Sequence, residues 1–174
     1  MLRTARLALR PLHDDDLPAL KAILQDPVAM VAYERVFSDA ECRDWLRRQQ
    51  QRYADDGYGL WAVISDGDLI GQCGITRQWV EQDEVTEVGY LFRRDRWHRG
   101  HAVEAASACR DWAFETLRAP EVYAKVRDIN IPSMNVAIRL GMTARRRFVT
   151  RYRGVDMPHY AFAIDRASWE RRRR

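Results

Sequence analysis

Cysteine is scarce in this chain of 174 residues. The three cysteines, Cys42, Cys73 and Cys109, are widely spaced and form no Cys-x-x-Cys pair. An odd and dispersed set of this kind predicts neither a disulfide framework nor a zinc site. We therefore expect three reduced thiols in the protein core and no bound metal.

Long apolar runs are also lacking, although 47% of the residues are hydrophobic. No charge-free apolar segment approaches the ~20 residues that cross a bilayer. Residues 1–12 alternate polar and apolar side chains and lack the apolar core and cleavage site of a signal peptide. We expect a cytoplasmic protein without a membrane partner. Its length predicts one domain over residues 1–170, followed by a basic tail at residues 171–174.

Lysine is nearly absent, since Lys21 and Lys125 are the two lysines and arginine supplies the other basic residues. The formal net charge is +4, and residues 171–174 alone carry four positive charges, so the rest of the chain is balanced. A terminal arginine run is typical of a solvated tail, and nucleic acid is not the expected partner. A nucleic-acid-binding domain that uses this tail and residues 145–147 is kept as an alternative.

Hydrophobic periodicity predicts an α/β (α+β) protein. A capping box at Ser38 and Glu41 predicts the start of one helix, and Asp66-Gly67 predicts the turn of a hairpin. The expected strands are residues 6–10, 60–64, 68–75, 85–92, 121–126, 145–152 and 157–164. The expected helices run from about residue 14 to 26, from 38 to 56, from 101 to 117 and from 133 to 140.

Residues 86–117 have the pattern of a strand, a basic loop and a helix rich in small residues. The first turn of a helix presents unpaired N–H groups and the positive end of the helix dipole, which suits a phosphate. Gly100 permits a positive φ just before that turn. We predict an anion site at the N–H groups of residues 99–103, with help from the loop arginines Arg94, Arg96 and Arg99. An ordinary amphipathic helix after an arginine-rich turn is the alternative.

Four segments, each a weak signal alone, follow one another with the expected elements between them: 61–75, 87–105, 130–142 and 152–160. Their order resembles the GNAT superfamily of acetyl-coenzyme A-dependent N-acetyltransferases, in particular the subgroup of ribosomal-protein N-terminal acetyltransferases. The resemblance covers nearly the whole chain. It implies a mixed, mostly antiparallel sheet of six to seven strands flanked by about four helices. Two central parallel strands would splay apart to hold the coenzyme. A homodimer is also implied by the family.

The sequence departs from the family pattern at three positions. Trp97 and His98 stand in the coenzyme loop where the family usually places other residues. Ala137 occupies the position at which many members carry a tyrosine that acts as general acid. These departures support a second hypothesis, a coenzyme-binding regulatory module that has lost catalysis.

The resemblance also implies which residues hold acetyl-coenzyme A. The main chain of Leu91, Phe92 and Arg93 would bond the pantetheine arm. Asn130 would contact a pantetheine amide, although it could equally cap the helix that follows. The diphosphate would accept hydrogen bonds from main-chain N–H groups at the helix start and from basic side chains of the loop. The residues concerned are Arg94, Arg99, Gly100, His101, Ala102 and Val103.

For catalysis, Glu87 is the expected general base, because a carboxylate in an apolar strand either faces solvent or lines a cleft that raises its pKa. Glu84 is the second candidate, and a solvent-facing Glu87 is the alternative interpretation. Ser133 would donate a hydrogen bond to the departing thiolate or simply cap a helix. No cysteine or serine lies in a nucleophile-elbow context, so transfer is expected to be direct.

The acceptor amine is not specified by the sequence. By analogy, the walls of its site would come from residues 26–40, the residue beyond the hairpin and the closing turn. Glu34 and Asp156 would suit a cationic acceptor, but a peptide N-terminus, an amino acid, a polyamine and an aminoglycoside all stay open. The expected acceptor-site residues are Tyr33, Glu34, Phe37, Trp79 and His159.

Overall fold

The computed structural model describes residues 1–173 and forms one mixed sheet with helices on both faces. The strands are β1 (Leu2–Arg3), β2 (Ala8–Arg10), β3 (Leu60–Ser65), β4 (Asp68–Val80), β5 (Asp83–Phe92), β6 (Glu121–Arg127), β7 (Thr143–Tyr152) and β8 (Val155–Asp165). The helices are α1 (Leu17–Leu24), α2 (Asp39–Asp56), α3 (His101–Glu115), α4 (Ile131–Arg139) and α5 (Arg166–Arg172). Short 3-10 turns cover Asp14–Asp16, Val31–Tyr33 and Arg94–Arg96.

The strand order is β1-β2-β3-β4-β5-β6-β8-β7. Every neighbouring pair is antiparallel except β5 and β6. This confirms the expected fold class and its central parallel pair. Across the described residues there are eight strands and five helices, one more of each than the upper expectation of seven strands and about four helices.

The extra strand is β1, whose two residues are too few to give a periodic signal. The extra helix is α5, which lies where we predicted the boundary of a basic tail at residue 171. The Asp165 carboxylate accepts the Ser168 N–H at 2.7 Å and caps this helix, and Trp169 is buried. Arg171 and Arg172 therefore belong to the folded domain, and Arg174 lies outside the described residues.

Helix α2 begins and ends as the sequence predicts. The Ser38 hydroxyl accepts the Glu41 N–H at 3.3 Å, and the Glu41 carboxylate accepts the Ser38 N–H at 2.8 Å. Gly57 ends the helix with φ 80°. This capping box holds the N-terminal end of a helix whose middle turns border the site described below.

The strongest strands are buried on both faces, as β4 shows from Leu69 to Thr76. Helix α3 packs on one face through the small residues that the sequence placed there, and α1 and α2 cover the other. The three cysteines are free and buried, as expected. Between residues 1 and 173, no helix is both long and apolar enough to cross a membrane.

Candidate active site

The parallel strands β5 and β6 pair at one register position, Glu87 with Tyr123, and separate beyond it. A cavity of about 400 Å³ lies at this opening. Polar and charged side chains of β4, β5, β6, α2 and the loops line it, so it is chemically unlike the apolar core. The ionisable and hydroxyl residues of its lining are Tyr33, Arg48, Arg52, Thr76, Glu87, Tyr90, Lys125, Arg127, Ser133, Thr150, Tyr152 and His159.

Glu87 is partly buried and lines the cavity, which favours the prediction of a carboxylate in a cleft over that of a solvent-facing one. Its Oε1 accepts the main-chain N–H of Lys125 at 3.2 Å, across the opening between the strands. Burial raises the pKa of Glu87, against the opposing effects of the Lys125 charge, the Lys125 N–H and the Arg52 charge. Glu84 is exposed and lies outside the cavity lining, so it has no comparable position.

Tyr90 is a cavity residue that the sequence analysis missed. Its hydroxyl lies 3.0 Å from the Ser133 carbonyl and 2.9 Å from Ser133 Oγ. A phenol has one proton to donate, so an arrangement that satisfies both contacts has Tyr90 donating to the carbonyl and the Ser133 hydroxyl donating to Tyr90. Burial raises the pKa of Tyr90, against the hydrogen bond with Ser133. The phenol therefore stays protonated at neutral pH.

Asn130 caps helix α4 and lines the cavity as well. Its Oδ1 accepts the Ser133 N–H at 3.2 Å, which leaves its NH₂ group free of this bond. Both roles considered for Asn130 are thus compatible. The cap also fixes Ser133, and with it the partner of the Tyr90 hydroxyl.

The end of β5 directs its main-chain groups to alternate sides. The Arg93 N–H donates to the Ile70 carbonyl at 2.9 Å, so it is held by β4. Main-chain hydrogen-bonding positions alternate along an antiparallel pair. The Leu91 N–H therefore also points to β4, whereas the N–H groups of Tyr90 and Phe92 point to the opening. The main chain of Leu91, Phe92 and Arg93 is predicted to bond the pantetheine arm, and of their three N–H groups the one that faces the opening is that of Phe92.

Trp97, an unusual residue for this loop, supports the same strand end. Its indole N–H donates to the Phe92 carbonyl at 2.9 Å. The Phe92 carbonyl is thereby engaged, while the strand register directs the Phe92 N–H to the open side. The substitution at position 97 thus stabilises the strand rather than disturbing it.

The predicted anion site has the expected backbone. Gly100 has φ 80° and precedes α3, whose first turn contains His101, Ala102 and Val103. Three of the loop arginines form ion pairs, and two of these pairs are close: Arg93 with Asp95 at 2.7 Å and Arg96 with Asp68 at 3.0 Å. Arg94 lies 3.6 Å from Asp26.

Arg99 is exposed and forms no ion pair within residues 1–173, so it is the loop arginine most available to an anion. The His101 side chain is buried at 7% exposure, and its Nδ1 has no partner among the described residues. Burial lowers the pKa of His101. The buried imidazole is not available as a surface contact for a phosphate, which leaves the predicted contact of His101 to its main-chain N–H in the first turn of α3.

Glu104 carries a negative charge close to this loop but is neutralised. It accepts the Thr4 hydroxyl at 2.6 Å and the Arg6 N–H at 2.9 Å, and it pairs with the Arg6 guanidinium at 2.6 Å. The Arg6 Nη1 also donates to the Arg99 carbonyl at 3.0 Å. Arg6 therefore ties the N-terminal segment to the loop, a role that the sequence did not reveal.

Two of the five expected acceptor-site residues, Tyr33 and His159, line the cavity. Phe37 does not, because it is buried beneath Tyr33 and Trp45 in the core. Trp79, the fourth expected residue, is 58% exposed and lies outside the cavity. Glu34, the fifth, does not line the cavity either, because its carboxylate forms an ion pair with Arg127 at 2.6 Å.

The opposite wall of the cavity comes from α2. One side of the helix carries four lining residues related by spacings of three and four positions: Trp45, Arg48, Gln49 and Arg52. The Arg48 guanidinium lies 5.4 Å from the centroid of the Trp45 ring. This spacing was visible in the sequence, but the same face carries the buried residues Cys42 and Leu46. The arginines border that apolar stripe.

The family described as acetyltransferase (GNAT) domain matches residues 6–143. The chain belongs to the GNAT family. It is 35% identical to YkkB of Bacillus subtilis over 81% of this chain and 84% of that protein. An acetyltransferase structure from Agrobacterium tumefaciens is 30% identical, covers 95% of this chain and 94% of its own, and has a TM-score of 0.80.

A structure of RimL, the ribosomal L7/L12 α-N-protein acetyltransferase in complex with coenzyme A, has a TM-score of 0.75 at 17% identity. The similarity covers 93% of this chain and 95% of the RimL chain, and at 17% identity it shows that the two share a fold. The chain is thus an acetyl-coenzyme A-dependent N-acetyltransferase of the GNAT family. Within residues 1–173, no group of three or more His, Cys, Asp or Glu side chains is placed to hold a metal ion.

Proposed function

We propose that this enzyme transfers the acetyl group of acetyl-coenzyme A directly to a primary amine, with Glu87 as general base and Tyr90 as general acid. The observation that carries the proposal is the presence of both groups in one cavity, at the separation of β5 and β6. Their pKa values are displaced in ways that suit these roles. The Glu87 carboxyl is shifted upward toward neutral pH, and the Tyr90 phenol is kept protonated.

The proposed reaction has four movements. Glu87 takes one proton from the substrate ammonium, directly or through a water. The amine nitrogen attacks the acetyl carbon, so a C–N bond forms and the C–S bond breaks. The sulfur takes the Tyr90 proton. Of the two protons left on nitrogen, one stays in the amide and the other leaves through solvent and restores the phenol, while Glu87 releases its proton to solvent. Ser133 positions Tyr90 through the 2.9 Å contact between their hydroxyl groups.

For the coenzyme, we propose that the Phe92 N–H and the Asn130 NH₂ group bond the pantetheine arm. The main-chain N–H groups of residues 100–103 receive the diphosphate at the positive end of α3. Arg99, free of ion pairs in the described chain, adds a charge-assisted contact.

The two alternatives gain no support. Tyr90 supplies the acid whose absence motivated a regulatory module without catalysis. The basic run Arg145, Arg146 and Arg147 pairs with Asp165, with Glu81 and Asp83, and with Asp128, which neutralises the patch that nucleic acid would need. We also keep as proposals the membership of the ribosomal-protein subgroup, a homodimer, and a cytoplasmic location. The three free buried thiols suit a reducing compartment.

The test combines binding and turnover. Calorimetry measures acetyl-coenzyme A binding, and thiol release measures turnover over a panel of amines, amino acids and N-terminal peptides. Tyr90→Phe should bind the coenzyme normally and lower kcat by roughly 100-fold or more, the usual contribution of a general acid. Tyr123→Phe is the control, because its hydroxyl bonds Glu121 at 2.9 Å outside the cavity. Failure of the parent to bind the coenzyme, or of every amine to release thiol, would refute the proposal.

A further inference from the structure

The cavity is strongly basic, and this bears on the acceptor. Four cationic side chains line it, Arg48 and Arg52 on α2, and Lys125 and Arg127 on β6, against the single carboxylate of Glu87. Glu34 neutralises Arg127 at 2.6 Å from outside the lining. Within residues 1–173, Arg48, Arg52 and Lys125 form no ion pair, although the same chain pairs most of its exposed arginines elsewhere. The cavity therefore holds positive charge without a partner.

Buried hydrogen-bond donors in the cavity are also unpaired. Trp45 donates its indole N–H to Gln72 Oε1 at 2.9 Å. Since an indole can only donate, this contact fixes the Gln72 amide with its NH₂ group pointing away from Trp45. That Nε2 and the Nε of Arg127 are buried atoms without a partner in the described residues, and both belong to cavity residues that are 0% and 7% exposed. An unpaired buried donor is costly unless a ligand satisfies it.

These groups lie apart from the coenzyme phosphate site. The cavity lining contains residues of α2, β4, β5, β6 and α4 but none from the loop and helix start at residues 93–103. A coenzyme that places its diphosphate on that helix start does not neutralise Arg48 or Arg52. The other candidate for a cationic acceptor, Asp156, is 72% exposed in its side chain and lies outside the lining.

We infer that the acceptor is an amine that also carries an anionic group, a carboxylate or a phosphate, which Arg48 and Arg52 bind while the amine faces Glu87. This inference rests on the proposed function and narrows its substrate class. A polyamine would bring further positive charge to the unpaired cations and leave the buried donors of Gln72 and Arg127 without an acceptor. The earlier idea that Glu34 welcomes a cationic acceptor is not supported, because Arg127 already holds that carboxylate.

The first experiment measures anion binding independently of turnover. Protein saturated with coenzyme A is titrated with succinate, with inorganic phosphate and with putrescine, and binding is followed by calorimetry. Succinate or phosphate should bind and putrescine should not, and the stronger of the two anions distinguishes a carboxylate from a phosphate site. Arg48→Gln/Arg52→Gln should weaken anion binding by about 10- to 100-fold, the expected loss of hydrogen bonds to a charged group.

Arg43→Gln/Arg47→Gln is the matched control. It removes two charges from the same helix, at positions that border a separate shallow pocket and not the cavity. It should leave anion binding unchanged. Equal weakening in both double variants would mean a general charge effect and would overturn the inference, as would binding of putrescine in preference to both anions.

The second experiment compares acceptors in thiol release. Each amino acid is tested beside its amide, which keeps the amine and removes the carboxylate charge, and phosphoethanolamine is tested beside ethanolamine. The anionic member of a pair should have a kcat/KM at least 10-fold higher, and the Arg48/Arg52 double variant should remove that difference without changing the KM for acetyl-coenzyme A. Faster turnover of the uncharged members would overturn this inference and leave the acetyltransferase proposal intact. The acetyltransferase proposal would be refuted by a different result, namely a parent protein that fails to bind the coenzyme or that releases thiol with no amine.

Discussion

Replacing Glu87 by glutamine separates catalysis from stability, because the structure predicts opposite effects on the two. Glutamine keeps an amide oxygen that accepts the Lys125 N–H, now 3.2 Å from the carboxylate. It removes the charge that burial disfavours. The substitution therefore preserves the contact across β5 and β6 while it abolishes the proposed base.

The stability effect follows from the raised pKa of Glu87. A carboxyl whose pKa is higher in the folded than in the unfolded protein destabilises the fold once the unfolded form ionises. This penalty is absent below the ordinary pKa of 4.5, grows as the pH rises toward the folded pKa, and is constant above it. Each unit of displacement corresponds to about 1.4 kcal/mol. Glu87→Gln should thus raise the free energy of unfolding at pH 7 and change it little at pH 4.

The catalytic effect should be a loss of about 100- to 10,000-fold in kcat, or roughly 3–5 kcal/mol of activation free energy. In the parent, kcat/KM should rise with pH through the raised pKa of Glu87, and this rise should be missing in the variant. Glu84→Gln on the exposed part of the same strand is the control and should show neither effect.

Denaturant unfolding at pH 4 and pH 7, together with thiol-release profiles, measures both effects. The reasoning is refuted if Glu87→Gln is no more stable than the parent at pH 7, because Glu87 would then not be desolvated. It is equally refuted if turnover survives, because the base would then be another group.

Two further predictions concern structure away from the chemistry. Glu104→Gln should cost about 2 kcal/mol in the free energy of unfolding near pH 7, since a charged acceptor of the Thr4 and Arg6 donors is lost. Although burial acts to raise the pKa of Glu104, the hydrogen bonds from Thr4 and Arg6 lower this pKa overall. The parent should therefore lose its stability advantage over the variant as the pH falls below 4.5. A difference in the free energy of unfolding that does not change with pH would contradict this. Gly74→Ala should destabilise by ~2–3 kcal/mol or more, because the added Cβ would collide with the main-chain oxygen of Gly59, the residue just before β3. A neutral effect in thermal unfolding would contradict this prediction.

The sequence was sufficient for features whose causes are local. The Ser38 capping box, the Asp66-Gly67 hairpin, the positive φ of Gly100 and the small-residue face of α3 each follow from neighbouring residues. The end of β4 was placed too early, at residue 75, because its outer part alternates exposed and buried side chains up to Val80. Even so, the element order and the fold class were correct.

The site was harder to predict because its parts are distant in sequence. Tyr90 meets Ser133 across 43 positions, and no local pattern distinguishes it from an ordinary strand tyrosine. Arg48 and Arg52 have the spacing of a solvated helix face, and their place in the cavity depends on how α2 docks on the sheet. Glu34 is the reverse case. The sequence suggested a carboxylate at the acceptor site, but in the fold Glu34 forms an ion pair with Arg127 and lies outside the cavity lining.

Glu87 contributes both to the fold, at the separation of β5 and β6, and to the proposed chemistry. In a parallel ladder that continued past Tyr123, the Lys125 N–H would donate to a main-chain carbonyl of β5. Here the Glu87 carboxylate takes that donor instead, so the strands separate without leaving a buried N–H unsatisfied. One side chain is therefore both the acceptor that satisfies this N–H where the strands separate and the carboxylate proposed to deprotonate the amine. An alanine at this position would remove both at once, which is why glutamine, and not alanine, is the substitution that can distinguish a base from a spacer.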